Sequence, residues 1–162
     1  MTNFQTESEW NAWVEENAGR FLFFARQQTP SHHDAEDVLQ EALIESWRRA
    51  CGKPEASLVF ATIRRRAIDL HRTTQRRLRR EETAETPPEF VLPPAPRDEH
   101  QLLANAVNAL PHPQREVLSL KIWGDLTFQQ IAETLEIPQG TAASRYRLAL
   151  ESLRQTLTAI PA

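Results

Sequence analysis

Charged and hydrogen-bonding side chains that could contact other macromolecules are concentrated in three stretches of this 162-residue chain. The most basic stretch runs from Arg64 to Arg80, where eight arginines face one acid, Asp69, for a local net charge of +7. One helical stripe of this run carries Arg65, Asp69, Arg72 and Arg76. A solvated charged face, the usual interpretation of such a run, carries both signs. Because the opposing acids are missing, we expect contact with nucleic-acid phosphates.

The second stretch is acidic and lies on a predicted helix opened by Ser31. Its acids are Asp34, Glu36, Asp37, Glu41 and Glu45. Acids in a first turn complement the helix dipole, which accounts for the first three but not for Glu41 and Glu45. A face that docks on another protein is therefore the second interpretation.

The third stretch lies near the C-terminus. Thr127 and Gln130 form a capping box that opens a short helix over 128–135. After a three-residue turn, Gln139 begins a longer helix, so the pair has helix-turn-helix spacing. The second helix of such a motif enters the major groove. We expect it to bury Ala142, Tyr146, Ala149, Leu150, Leu153 and Leu157, and to expose Gln139, Thr141, Ala143, Ser144, Arg147 and Leu148, with Arg145 on the flank.

That helix pair has an alternative interpretation as an ordinary helical hairpin. Arginines and lysines of the C-terminal module are balanced by acids, so its net charge is near zero. We therefore expect weak DNA binding by this module alone.

Other chemistry is not supported. Adjacent His32 and His33 do not share a helix face, and no third ligand follows at metal spacing. No glycine-rich phosphate loop or nucleophile elbow occurs, and a hydrolase using His32, His33 or Asp37 would need convergent polar groups. We expect no enzymatic activity, no metal and no cofactor. The single cysteine, the polar N-terminus and the lack of any apolar run of about 20 residues predict a cytoplasmic protein without membrane insertion.

The elements that position these stretches are all predicted to be helices, because apolar residues recur every three or four positions and strand alternation is absent. We predict two small helical domains, 1–80 and 98–162, joined by an acidic linker over 81–97 that holds five of the eleven prolines. The third helix should face inward with Phe60, Ile63, Ala67 and Leu70. Gly124 should end a helix in the left-handed conformation.

In this order, the stretches resemble the extracytoplasmic-function (ECF) class of sigma factors of bacterial RNA polymerase. The resemblance covers nearly the whole chain and rests on several ordered motifs. They are Asp34-Ala35-Glu36-Asp37-Val38-Leu39-Gln40-Glu41 with Trp47, Ala67-Ile68-Asp69 with Arg72, Leu110-Pro111 with Gln114-Arg115-Glu116-Val117-Leu118, Ile131-Ala132-Glu133, and Gly140-Thr141-Ala142-Ala143-Ser144-Arg145.

The resemblance implies roles. The N-terminal domain would be a region 2 helical bundle and the C-terminal domain a region 4 four-helix domain. Docking on the clamp helices of the polymerase's largest subunit would use Asp37, Gln40, Glu41 and Glu45. Reading of the −10 element would use the loop Lys53–Ser57 and the helix from Phe60, with contacts Lys53, Ser57, Phe60, Arg64, Arg65, Asp69, Arg72 and Arg76. Reading of the −35 element would use Gln139, Thr141, Ser144, Arg145, Arg147 and Leu148.

The implied partners are core RNA polymerase, including the flap of its second-largest subunit, promoter DNA and an anti-sigma factor. The chain departs from the family pattern at two positions. The family's tryptophan position holds Leu58 or Phe60, and its asparagine position holds Arg65, which cannot accept a hydrogen bond from a base. A free-standing helix-turn-helix regulator is the alternative function.

Overall fold

The computed structural model describes residues 7–81 and 98–159, with side chains for 7–79 and 101–159. Within those ranges the regular structure is helical, which confirms the all-α prediction. The helices are α1 (Glu7–Gln28), α2 (His32–Ala50), α3 (Ala56–Glu81), α4 (Asp98–Asn108), α5 (His112–Ile122), α6 (Phe128–Leu135) and α7 (Gln139–Thr158). They form two compact units, Met1–Glu89 and Phe90–Ala162. The predicted linker lies outside the described residues apart from Glu81.

The first unit is a three-helix bundle built on an aromatic core. Phe21 and Phe24 of α1 meet Phe60 of α3 edge to face, with ring centroids 5.0 and 5.4 Å apart. All three rings are buried. Trp10 of α1 meets Trp47 of α2 edge to face at 4.5 Å, so aromatic contacts tie both other helices to α1. Edge-to-face packing suits the ring quadrupoles and adds to the apolar area buried.

Local sequence signals set the helix ends in both units. The Ser31 side chain caps α2 by accepting a hydrogen bond from the backbone N–H of Asp34, at 3.0 Å. The capping box of α6 is present, with Thr127 and Gln130 bonded reciprocally. A cap of this kind satisfies backbone donors that the helix itself leaves unpaired.

The second unit contains α4 to α7, and α7 packs against each of the other three helices. Its fully buried side chains include Val107, Leu118 and Ile131, one from each of those helices. On α7 the buried residues are Ala142, Ala149 and Leu153. Small alanines at two of these positions let the neighbouring helices approach α7 closely.

Three predictions of local structure are wrong. Helix α3 begins at Ala56, so Ser57 lies within it and not in a loop. The left-handed residue after α5 is Asp125, with φ 55°, and not Gly124. On α7, Leu150 and Leu157 are 40% and 38% exposed, because each is rotated off the line of Ala142, Ala149 and Leu153 that faces the core.

Gly124 is needed for close approach to α5. A Cβ atom at this position would lie 2.6 Å from the backbone oxygen of Leu120. Replacement of Gly124 by Ala should therefore destabilise the second unit by about 1–3 kcal/mol, since the contacting atom is backbone and cannot rotate away. Thermal unfolding would measure the change.

The matched control is Gly140→Ala in α7, where a Cβ meets nothing within 4 Å. That variant should keep or slightly raise the free energy of unfolding, because alanine favours a helix over glycine. Equal melting temperatures for the two variants would contradict the close-approach interpretation.

Candidate nucleic-acid interface

The basic stripe of α3 is exposed as the sequence predicts. Arg65, Asp69, Arg72 and Arg76 all lie on the solvent side of the helix. Arg72 and Arg76 form no ion pair within the described part of the chain. Their guanidinium groups are therefore available to bind the phosphates of a nucleic-acid strand. The side chain of Arg80, the last arginine of the run, lies outside the described residues.

Phe60 does not belong to this interface. Its ring is 0% exposed and packs between Phe21 and Phe24. The predicted contact of Phe60 with −10 DNA is therefore wrong for this structure, whereas its predicted inward orientation is confirmed. Its burial follows from α3 packing, since the core face that holds Phe60 is opposite the arginine stripe.

The remaining predicted −10 contacts vary in accessibility. Lys53 is exposed in the turn before α3, and Ser57 is half-buried in the first turn of that helix. Arg64 is half-buried. Lys53, Ser57 and Arg64 each make further contacts within the chain. Lys53 thus lies at the N-terminal end of α3, and the free arginines lie along its C-terminal half.

The residues predicted to dock on polymerase all lie on α2. Asp37, Gln40 and Glu41 are exposed, and Glu45 is half-buried. Asp37 lies 3.5 Å from His33, and the neighbouring His32 pairs with Glu36 at 2.8 Å. Both histidines are thus engaged along their own helix. Among the described residues, no group of three or more His, Cys, Asp or Glu side chains is arranged to hold a metal ion.

The acidic face of α2 and the basic helix α3 meet in an ion-pair network. Arg65 donates a hydrogen bond to Glu45 Oε2, and Arg66 donates to Glu41 Oε2 at 2.8 Å. Arg66 Nε also lies 3.7 Å from Glu45 Oε2. The sequence does not reveal this network, because the partners are 20 and 25 positions apart and only the packing of α2 on α3 brings them together.

On the second unit, the helix-turn-helix is positioned by contacts between α6 and α7. The rings of Phe128 and Tyr146 meet edge to face with centroids 5.4 Å apart. Lys121 Nζ lies over the Phe128 ring, 4.6 Å from its centroid, and this cation–π contact ties α5 to the start of α6. These contacts fix the angle at which the N-terminal half of α7 leaves the turn.

The predicted −35 residues lie along α7 with graded exposure. Gln139, Arg147 and Leu148 are exposed, with Leu148 at 43%. The other three, Thr141, Ser144 and Arg145, are half-buried. All six side chains are therefore accessible to some degree on the helix that the motif places in the major groove.

One further charge of this unit lies on α5. Burial lowers the pKa of Arg115, and the adjacent Glu116 carboxylate opposes that shift. Glu116 is itself buried and lies 3.4 Å from His112. Arg115 and Glu116 thus interact with groups of their own unit.

Comparison with known proteins identifies the family. Residues 13–77 match the model of sigma-70 region 2, and residues 100–153 match that of sigma-70 region 4. An RNA polymerase sigma-E factor of Streptomyces avermitilis is 32% identical over 92% of this chain and 85% of its own length. The chain belongs to the sigma-70 family, as an ECF sigma factor.

Other relatives agree with this assignment. The ECF RNA polymerase sigma factor RpoE of Cereibacter sphaeroides is 30% identical to this sigma factor over 76% of the chain and 72% of its own. Among solved structures, the sigma factor RpoE from Bartonella quintana, in complex with the anti-sigma factor NepR, has the same fold. It matches with a TM-score of 0.76 at 20% identity, covering 94% of this chain and 99% of its own.

The burial of Phe60 predicts that its ring contributes to stability and not to DNA binding. Phe60→Ala should lower the free energy of unfolding by about 3–5 kcal/mol, because it removes a buried ring between two others. Chemical denaturation of the full chain would measure this. A variant with wild-type stability but weakened binding of single-stranded DNA would contradict the core assignment.

The free arginines of α3 generate a second prediction. Replacing both Arg72 and Arg76 by Gln should weaken binding of single-stranded promoter DNA to the holoenzyme, whatever its sequence. The slope of log affinity against log salt concentration should fall by about 0.7 for each lost phosphate contact. Fluorescence anisotropy across a salt series would measure it.

The matched control is Arg26→Gln on α1. Arg26 is a half-buried arginine of the first unit whose Nε donates to His32 Nδ1. Its replacement should leave the salt slope unchanged. An unchanged slope in the Arg72 and Arg76 variant would show that this part of α3 does not hold phosphates.

Proposed function

We propose that this chain is an alternative sigma factor that carries core RNA polymerase to promoters and directs initiation there. The first unit docks on the polymerase through α2 and binds the −10 element through α3. The second unit binds the −35 element through α7. The observation that carries this proposal is the pairing, on one three-helix unit, of an acidic face on α2 with an arginine stripe on α3.

The acidic face fits a protein partner better than DNA. Asp37, Gln40 and Glu41 are exposed on one side of α2, and carboxylates there would repel phosphates. A basic helical surface, such as the clamp helices of the largest polymerase subunit, complements this charge. We therefore assign these side chains to polymerase docking.

The arginine stripe fits an unpaired DNA strand. Arg72 and Arg76 can follow its phosphates, and Lys53 lies at the other end of α3. The stripe itself carries no aromatic side chain, and Phe60 on the opposite face of α3 is buried, so neither offers a ring for base stacking. Base recognition therefore falls to polar groups, and Arg65 and Asp69 are two exposed candidates on α3.

The helix-turn-helix fits duplex DNA of the −35 element. Gln139 and Arg147 can bond base edges or phosphates, whereas Leu148 can contact a thymine methyl. The unit's near-zero net charge makes its own affinity weak, so we propose that it binds DNA when polymerase tethers both units. A free-standing regulator would not need the region 2 match at residues 13–77.

Further features of the proposal follow from this role. A sigma factor contributes no catalytic step of its own and works where core polymerase works, in the cytoplasm. Within the described residues, no helix is long and apolar enough to cross a membrane. The domains would be 1–80 and 98–162, with 81–97 as the connector. We also propose an anti-sigma factor as a partner, as the Bartonella quintana relative has.

Run-off transcription tests the proposal. Core polymerase with this chain should initiate at specific sites in a genomic promoter library, and core polymerase alone should not. The 5′ ends of the transcripts would be mapped by sequencing.

The same purified chain without polymerase should bind these promoters weakly in a gel shift. Tight, specific duplex binding by the free chain, together with no specific transcripts, would favour the regulator instead.

A further inference from the structure

The ion-pair network between α2 and α3 places Glu45 in a different setting from the other predicted docking residues. Its Oε2 atom accepts a hydrogen bond from Arg65 and lies 3.7 Å from Arg66 Nε. The Glu45 side chain is 30% exposed, against 60% for Glu41 and 58% for Asp37. A partner that lies on α2 therefore reaches Glu41 and Asp37 more easily than Glu45.

The network also separates Arg65 from the rest of the arginine stripe. Arg72 and Arg76 form no ion pair within the described residues and can move with a strand. Arg65 is held by a carboxylate of a neighbouring helix. An arginine has five N–H donors in a rigid fork, so a bond to Glu45 leaves donors free for a second acceptor.

A fixed guanidinium has a different use from a mobile one. A mobile arginine binds any phosphate within reach and adds affinity without sequence preference. A guanidinium held in one orientation presents its remaining donors in a set geometry, which favours bases with acceptors at matching positions. The bound carboxylate also offsets the charge of Arg65 and reduces its attraction to phosphates in general.

We propose that Glu45 is a positioning residue for Arg65 and not a contact for polymerase. Glu45 holds the Arg65 guanidinium on the exposed side of α3, so that Arg65 discriminates between bases of the −10 strand while Arg72 and Arg76 hold its phosphates. This inference rests on the proposed sigma-factor function, in which α3 faces that strand. Exposed ion pairs contribute little to stability, so the network matters more for geometry than for folding.

The test uses the full chain assembled with core polymerase. Single-stranded oligonucleotides carrying the mapped −10 sequence, and versions with each base replaced in turn, compete for the holoenzyme. The readout is the discrimination ratio, the affinity for the matched strand divided by that for each replacement. Glu45→Gln should lower this ratio by about fivefold or more at one position, and Arg65→Gln should lower it at the same position.

Three further variants make the result specific. Glu45→Asp keeps the charge and should restore part of the discrimination. The double variant E45Q/R65Q should lose no more than Arg65→Gln alone, since Glu45 acts through Arg65. Glu36→Gln removes the same charge from the same helix, but Glu36 pairs with His32, so the discrimination ratio should not change.

Affinity for core polymerase, measured in parallel, decides between the two roles of Glu45. Glu45→Gln should lose less core affinity than Asp37→Asn does. If it loses as much and discrimination stays at the wild-type value, Glu45 is a docking contact and the inference is overturned. If the wild-type chain gives no specific transcript, the proposed function itself is overturned. That failure is seen with the wild-type chain alone and is therefore distinct from a failure of the Glu45 inference.

Discussion

The packing of α3 against α1 and α2 is the constraint on which the first unit depends. Phe60 fits between Phe21 and Phe24, so one side of α3 is committed to the core. Behind it, the Ser46 and Thr62 hydroxyls lie 3.4 Å apart in a buried contact between α2 and α3. With the helix rotation fixed in this way, the arginine stripe can only point to solvent.

The same packing brings together opposite charges of the two surfaces proposed to bind polymerase and DNA. Glu41 and Glu45 belong to the acidic face of α2, yet both bind arginines of α3. Two of the eight positive charges of the arginine run, those of Arg65 and Arg66, are thereby balanced by carboxylates of α2. Arg72 and Arg76, which form no ion pair within the described residues, lie in the exposed C-terminal half of α3, beyond Ala67, the last buried residue in the described part of that helix. The surfaces proposed for protein docking and for DNA binding thus lie on adjoining helices and are not electrostatically independent.

In the second unit, the surface proposed to bind DNA is positioned mainly by aromatic and capping contacts. Its helix-turn-helix is held by the Phe128–Tyr146 contact and by a capping box, both of which are local to α6 and α7. A unit of this size buries a limited core. Its exposed apolar side chains include Leu102, Ile122, Leu148, Leu150 and Leu157. Weak charge and a small core both suit a module that acts as part of a larger assembly.

The sequence by itself determined the helical class, the capped starts of α2 and α6 and the motifs of the family, because helical periodicity and caps depend on residues within a few positions. It also determined which charges lie on the stripe of α3. Only the tertiary structure decided that Phe60 belongs to the core, that Leu150 faces solvent, and that Glu45 meets Arg65. Those outcomes depend on the rotation of one helix against another and on contacts between residues 20 or more positions apart, to which no local pattern is sensitive. Close packing of side chains from distant segments fixes them.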